Sequence, residues 1–530
     1  MPRHEIARVS ELLQSQLLQP ININPVQPHL AESNLFILDG AGPADLSFNE
    51  FNPLFNRNRL SLQLSGIAGG QNTFGDEIVF SGIQGKASFS VGQFHYETDG
   101  FRENNDQRQD IYNAFVQYSL SPKTSVQAEF RSREIKTGDL EVKFGNPFNL
   151  GNFLEDLREE DNIKSTRFGF HHAFGPHSDL IGSAVYLTRD FDSVAGETVD
   201  DREEDGYMAE VQHLFRSERF SIITGIGHFD QDRERLFTYQ DPPFQKTNPE
   251  NTNLYVYSNI NYPENIIWTI GASVDFFEGS LVDRNQINPK FGLTWNPFSG
   301  TTVRAAIFRN LKRTILTDQT IEPTQVAGFN QFFDDGEATD AWRYGIALDQ
   351  KLSTKLYAGA EFSQRDLSAA GNTFIGEIVE ADFKEQFGRG YIYWTPHRWL
   401  ALSSEYQYEC FKAPKEFMIY STSKLNTHRL LLGIGFFHPS GFSARLKPTY
   451  VAQDGDFVTG PPFALRVVPK EDQFWVFDAS ISYRMPKRFG LLTIEAKNLF
   501  DKSFMFQDTD PGNPMFQPKR LILARLTLAF

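Results

Sequence analysis

With a single cysteine, Cys410, the 530-residue chain forms no intrachain disulfide and offers no thiolate cage to a metal ion. Long apolar runs are missing too. The longest, LLLGIGFF at 430–437, falls far short of the roughly 18–20 residues that a membrane helix needs. Basic residues are outnumbered, 51 Lys and Arg against 67 Asp and Glu, for a net charge of −16, and they form no cluster. Binding nucleic acid requires such a cluster to neutralise phosphates, so no nucleic-acid partner is expected. The opening MPRHEIARVSELLQSQLLQP has neither a sustained apolar core nor a small-residue cleavage site, so it does not read as a secretory signal. Catalytic signatures such as GxSxG are absent, as is the alternating calcium loop with its turn glycine. The expectation is a non-enzyme without catalytic residue, cofactor or metal.

Aromatic side chains are abundant, 14% of the chain, with 50 Phe and 18 Tyr against 6 Met. The mean hydropathy of −0.40 conceals strict alternation. In WTIGASVDFF, Trp268, Ile270, Ala272, Val274 and Phe276 fall on one face, with Thr269, Gly271, Ser273 and Asp275 on the other. KLYAGAEFS and FWVFDASISY repeat the scheme, and the closing LILARLTLAF puts Ile522, Ala524, Leu526, Leu528 and Phe530 on its dry face. From Arg59 onward, 22 such runs can be placed. Short turns such as SPK at 121, GPHS at 175, PEN at 263 and HPSG at 438 alternate with longer connections at 136–163, 231–251, 313–340, 452–471 and 499–518. The pattern predicts an all-β fold, a transmembrane antiparallel β-barrel of about 22 strands with short periplasmic turns and long extracellular loops. Residues 59–530 form the barrel, and residues 1–58 are a periplasmic or lumenal lead-in with one short helix, read from the spacing of Ile6, Val9, Leu12, Leu13 and Leu17. The proline-rich PININPVQP then stops that helix.

Aromatics beside the short turns, among them Phe174, Tyr262, Trp295, Phe298, Trp394, Trp399, Phe442 and Phe489, suit a periplasmic interfacial girdle. Charges on the opposite faces, Asp275, Arg304, Glu361, Glu405, Asp478, Glu495, Lys497 and Arg525, are expected to wet the lumen. Acidic runs at 155–161 and 200–205 read as solvated loops, and His171, His172 and His177 as interfacial histidines that do not share a metal ion.

LTIEAKNLFDKSF at 492–504 resembles the penultimate-strand motif of TonB-dependent outer-membrane receptors, with Asn498, Leu499, Phe500, Asp501 and Lys502 marking the strand's exit. NPKFGLTWNPFSGTTVRAAIFRNLKR at 288–313, followed by TIEPTQVAGFNQ, is similar to a mid-barrel hairpin of these receptors and the loop in which a Glu-Pro pair introduces the next strand. The terminal strand resembles the signal read by the barrel-insertion machinery, carried by Leu526, Leu528 and Phe530. The family's plug domain and energy-coupling box are not evident before Arg59, while DGAGPADLSFNEFNPLF resembles the lead-in of barrels that follow tetratricopeptide repeats. The resemblance implies a barrel in the bacterial outer membrane that binds or passes a solute through a lumen closed by something not encoded in this chain. The alternative is a plugless pore, anchor or assembly scaffold attached to a periplasmic repeat domain. Implied partners are outer-membrane lipids and lipopolysaccharide, the insertion machinery, and an energy-coupling or periplasmic repeat protein.

Overall fold

Hydrogen bonds of the backbone decide what a chain can place in hydrocarbon, because no amide there can turn to water. In the computed structural model each of the long strands of the main sheet is paired on both edges, the short Phe244–Thr247 pairs on one edge only, and the sheet closes on itself. Residues 7–19, 58–142, 156–238, 243–279, 281–317, 319–333, 335–372, 378–414, 422–459, 466–508 and 515–530 are described. The lead-in segments PININPVQP and DGAGPADLSFNEFNPLF, and Glu155, lie outside them.

The barrel has 22 antiparallel strands, from Arg59–Gly69 to Leu521–Ala529, each beside its neighbours in sequence. Closure pairs the first strand with the last, running from Gln63 opposite Ala529 to Gly69 opposite Leu523. Phe530 extends that seam: its N–H donates to Leu62 O at 2.9 Å, and its own O accepts from Leu62 N at 3.1 Å. An even strand number leaves both ends of the barrel on the side of the short turns.

Burial is inverted relative to a protein that folds in water. Ile270, Phe276, Ile481, Ile522 and Phe530 point outward and are exposed, while their polar neighbours Ser273, Asp275, Ser482 and Thr527 are buried inside. Two-residue alternation sorts each strand into a face for lipid and a face for the lumen. At the short turns, Phe174, Tyr262, Phe298, Trp394, Phe442 and Phe489 stand exposed on the outside, whereas Trp399 is half-buried and packs edge-on against Phe436.

Several stretches that read as loops are strand. The acidic runs lie largely on the strands Arg158–Gly175 and Thr198–Arg216, and much of 231–251 and 452–471 belongs to the strands Phe220–Phe237, Glu250–Asn261, Phe442–Thr459 and Arg466–Arg484. Polarity suggested loops because half-buried strands normally carry apolar residues. Here the ladder continues into water, and cross-strand arginines match the inward carboxylates. Arg189 Nε lies 2.7 Å from Asp161 and Arg235 Nε lies 2.7 Å from Asp200.

Candidate functional site in the lumen

The segment between the strands Thr301–Leu311 and Asp340–Lys351 turns inward and lies inside the barrel. Its sequence explains why. Residues 312–339 include Ile315, Ile321, Val326, Phe329, Phe332 and Phe333, all buried, and an exposed extracellular loop has no use for so much apolar surface. Gly328, with φ +83°, and Ala327, with φ +49°, reverse the chain between two short paired pieces, Gln325–Val326 and Phe329–Asn330. The Glu-Pro pair at 322–323 therefore leads into this internal hairpin and not into the next barrel strand, which begins at Asp340.

Charged tethers hold the segment to the wall. Arg313 Nη1 sits 2.6 Å from Glu322 Oε2 and 3.7 Å from Asp275 Oδ1, with all three side chains nearly inaccessible. Glu322 also accepts from Tyr257 OH at 2.8 Å and from Asn253 Nδ2 at 3.0 Å. Glu210, two strands from Asn253 on the same wall, accepts from Thr320 Oγ1 and, at 3.0 Å, from Ile321 N. Arg343 donates to Asn330 O at 2.8 Å, and Arg365 pairs with Asp335 and, at 2.6 Å, with Glu385. Both guanidiniums lie within 5 Å of the Phe332 ring centroid. At the outer end, Arg233 Nη1 is 2.5 Å from Glu337 Oε1. Burial tends to raise the Glu337 carboxyl, but Arg233, Lys312 and Thr314 hold it below the usual range.

A second element enters from the other end. The helix Ala7–Leu18 packs against the strands Arg158–Gly175 and Ser178–Ala195. Leu13 and Leu17 form one buried cluster with Ile181, Leu214 and Ile321, so helix and inward loop share a core. Gln14 Nε2 donates to Gln212 Oε1 at 2.6 Å. Parts of the chain itself, the inward loop and this helix, thus lie in the lumen, while a plug domain is not evident among the described residues.

The lumenal charges sit in different partnerships. Asp275 accepts from Asn288 Nδ2 at 2.6 Å, Arg304 lies 3.1 Å from Asp349 and 3.5 Å from Glu361, and Glu405 makes two 2.9 Å bonds to Arg389. Asp478 accepts from Asn498 N at 2.8 Å. Glu495 is buried, while Lys497 and Arg525 are half-buried. Asn498, with φ +48°, leaves its strand and ties down the final loop, donating to Lys502 O and Gln517 O, each at 2.9 Å, and accepting from Lys502 N. Leu499 N bonds Phe477 O at 2.7 Å, Phe500 is exposed beside Phe477, and Asp501 accepts from Arg520 N at 2.8 Å. Leu526 and Phe530 are exposed on the outside, and Leu528 beside them is half-buried.

His171 is not interfacial: it is 4% exposed in the lumen and 2.8 Å from Asp179, whereas His172 on the next position bonds Thr124. The central residues Arg313, Glu322, Glu210, Arg343 and Arg365 were not singled out from sequence. The signal that could have found them is the apolar content of 315–333, unusual beside the polar connections elsewhere.

No protein-family model matches the sequence, and no curated protein matches it. Solved structures do resemble it in shape. The FrpB iron transporter from Neisseria meningitidis superposes with a TM-score of 0.70 at 13% identity, over 90% of this chain and 82% of that one. The ferric-catecholate import receptor Fiu from E. coli K12, in its closed form, gives 0.66 at 11%, over 89% and 82%. The ferripyoverdine receptor of the Pseudomonas aeruginosa outer membrane gives 0.67 at 10%, over 89% and 72%. This chain therefore has the closed 22-stranded barrel fold of the TonB-dependent outer-membrane receptors.

Proposed function

We propose that the protein is a transport barrel of the bacterial outer membrane, of the TonB-dependent receptor type, and that it binds or passes a solute through a lumen gated by its own residues 312–339. The observation that carries this reading is the Arg313 cluster. A buried ion pair is a poor device for stability alone, because taking both charges out of water offsets most of their attraction. It is a good device for fixing one position of a movable segment, since either partner left alone is strongly unfavourable.

A plugless pore or scaffold fits less well, because the loop and the helix both pack inside the lumen. Outer-membrane lipid, lipopolysaccharide and the insertion machinery are the partners that the exposed apolar girdle and the terminal strand call for. An energy-coupling or periplasmic repeat protein would reach the chain through its N-terminal segment. The test is single-channel recording of the purified barrel in planar bilayers, with and without the tether. A folded barrel that is silent as isolated and conducts once Arg313 is removed supports the proposal. Large, steady openings of the unaltered chain count against it.

A further inference from the structure

The edge of the barrel that carries the ten short turns has a charge of its own. Those turns, each taken with one strand residue on either side, hold ten Lys and Arg against Glu218 and Glu264 alone. Their balance is +8 in a chain of net −16, so the remainder stands at −24. A basic rim beside an aromatic girdle meets the headgroups of the leaflet at that edge.

One corner of the rim is organised. The turn 352–355 leads into the strand Leu356–Asn372, and the turns 398–399 and 438–441 follow it along the edge. Lys355 Nζ reaches across to donate to Pro396 O at 3.3 Å, and Arg398 Cζ lies 5.4 Å from the centroid of the Trp399 ring. That ring also meets His397 edge-on at 5.3 Å and His438 at 5.6 Å, centroid to centroid. Each imidazole accepts a backbone N–H at Nδ1, His397 from Trp399 at 3.3 Å and His438 from Ser440 at 3.2 Å, which leaves the proton on Nε2 as a further donor. Lys355, His397, Arg398 and His438 are all exposed. Carboxylates of the neighbouring strands do not serve them: Asp349 faces the lumen 3.1 Å from Arg304, and Glu405 faces it 2.9 Å from Arg389.

Away from the edge, the outer wall beside this corner is apolar. Trp394, Ile434 and Phe436 are exposed on it, and Leu402 stands between Trp394 and Ile434 in register. Farther from the turns comes Gly390, flanked in register by Ala360 and Tyr406, where an added Cβ would meet nothing nearer than Gly359 O at 4.0 Å. The wall is therefore low along that line.

A ligand that fits both parts is acidic at one end and apolar along the rest. Two cations and two imidazole donors receive its head, whereas a zwitterionic headgroup sets its own ammonium against Lys355 and Arg398. An acidic protein would match the charge but not the lipid-facing wall directly beyond it. We propose that this corner binds one anionic phospholipid of the leaflet on the short-turn side, with its phosphate at Lys355 and Arg398 and an acyl chain along the furrow at Gly390. The assignment rests on the outer-membrane part of the reading above and is independent of transport.

The experiment reconstitutes the full chain into vesicles of phosphatidylethanolamine and phosphatidylglycerol with matched acyl chains, extracts it in mild detergent, and identifies the lipids that stay bound by native mass spectrometry. Phosphatidylglycerol should be retained about tenfold above its share of the vesicle, as expected for two cations beside one headgroup. Lys355→Gln with Arg398→Gln should remove that preference, whereas Lys123→Gln, at an exposed turn elsewhere on the rim, should keep it. Should the double variant fail to assemble, Arg398→Gln alone should lower the enrichment to about threefold. Equal retention of the two lipids overturns the site, and so does an equal loss with Lys123→Gln, since the whole rim then acts as a diffuse charge. Release of the bound lipid by soluble glycerol phosphate at matched concentration also overturns it, because the acyl furrow would then contribute nothing. A folded chain that does not enter the vesicles refutes the outer-membrane reading and the site with it.

Discussion

Replacing Arg313 by alanine removes the one cation among the described residues that faces both Asp275 and Glu322 at salt-bridge distance. Those two carboxylates, 1% and 2% exposed, then remain in the lumen with hydrogen bonds from Asn288, Asn253 and Tyr257 but without that cation. Breaking a buried pair from one side costs about 3–5 kcal/mol. At about 1.4 kcal/mol per tenfold, the inward position of residues 312–339 should lose a factor of roughly 10² to 10³ relative to alternatives. Two measurements read this: the open probability in planar bilayers, and the labelling rate of a cysteine placed at Gln319 in a Cys410→Ser background. Both should rise by about that factor. A companion variant, Arg313→Met with Asp275→Asn and Glu322→Gln, removes both sides of the pair and should recover part of the closure, since only buried Lys290 and Glu210 then lack the charges that faced them. An Arg313→Ala barrel that folds, stays silent and keeps Gln319 protected would refute the reasoning.

Deleting Phe530 removes two backbone hydrogen bonds of the closing seam and an outward-facing ring, and the barrel should lose its heat-modifiable band on gels. Leu17→Ala, at a side chain 1% exposed, should cost about 2–5 kcal/mol of helix docking and expose residues 7–19 to added protease without dissolving the barrel. Glu337 has a lowered carboxyl pKa, so its tether to Arg233 contributes fully above the ordinary glutamate value of about 4.3 and is lost as pH falls through the lower folded value. Closure should therefore be flat from pH 7 to about 5 and weaken only below about 4, and Glu337→Gln should abolish that acid-dependent step.

The barrel was legible because its alternation is a local property. Each strand declares its two faces without reference to any other, and turn residues such as the Pro-Glu-Asn at 263–265 mark where it stops. Strand ends above the membrane were harder to read. Asp200 and Glu204 look like loop residues until Arg235 and Arg233 are seen across the ladder. The lumenal site was the least legible part, since Arg313 meets Asp275 and Glu210 meets Thr320 only because residues 312–339 fold back over the inner wall. His171 illustrates the same limit, because its partner Asp179 lies on the neighbouring strand.

The inward loop has a consequence for the cycle of any gate built from it. Swinging residues 312–339 out toward water would uncover Phe329, Phe332 and Phe333, each worth about 1.5–3 kcal/mol when buried, together with Ile321 from its shared cluster with Leu17. An opened state is thus spring-loaded. Whatever releases the loop must do work against that pull, but nothing further is needed to shut the passage, which recoils once the load is gone.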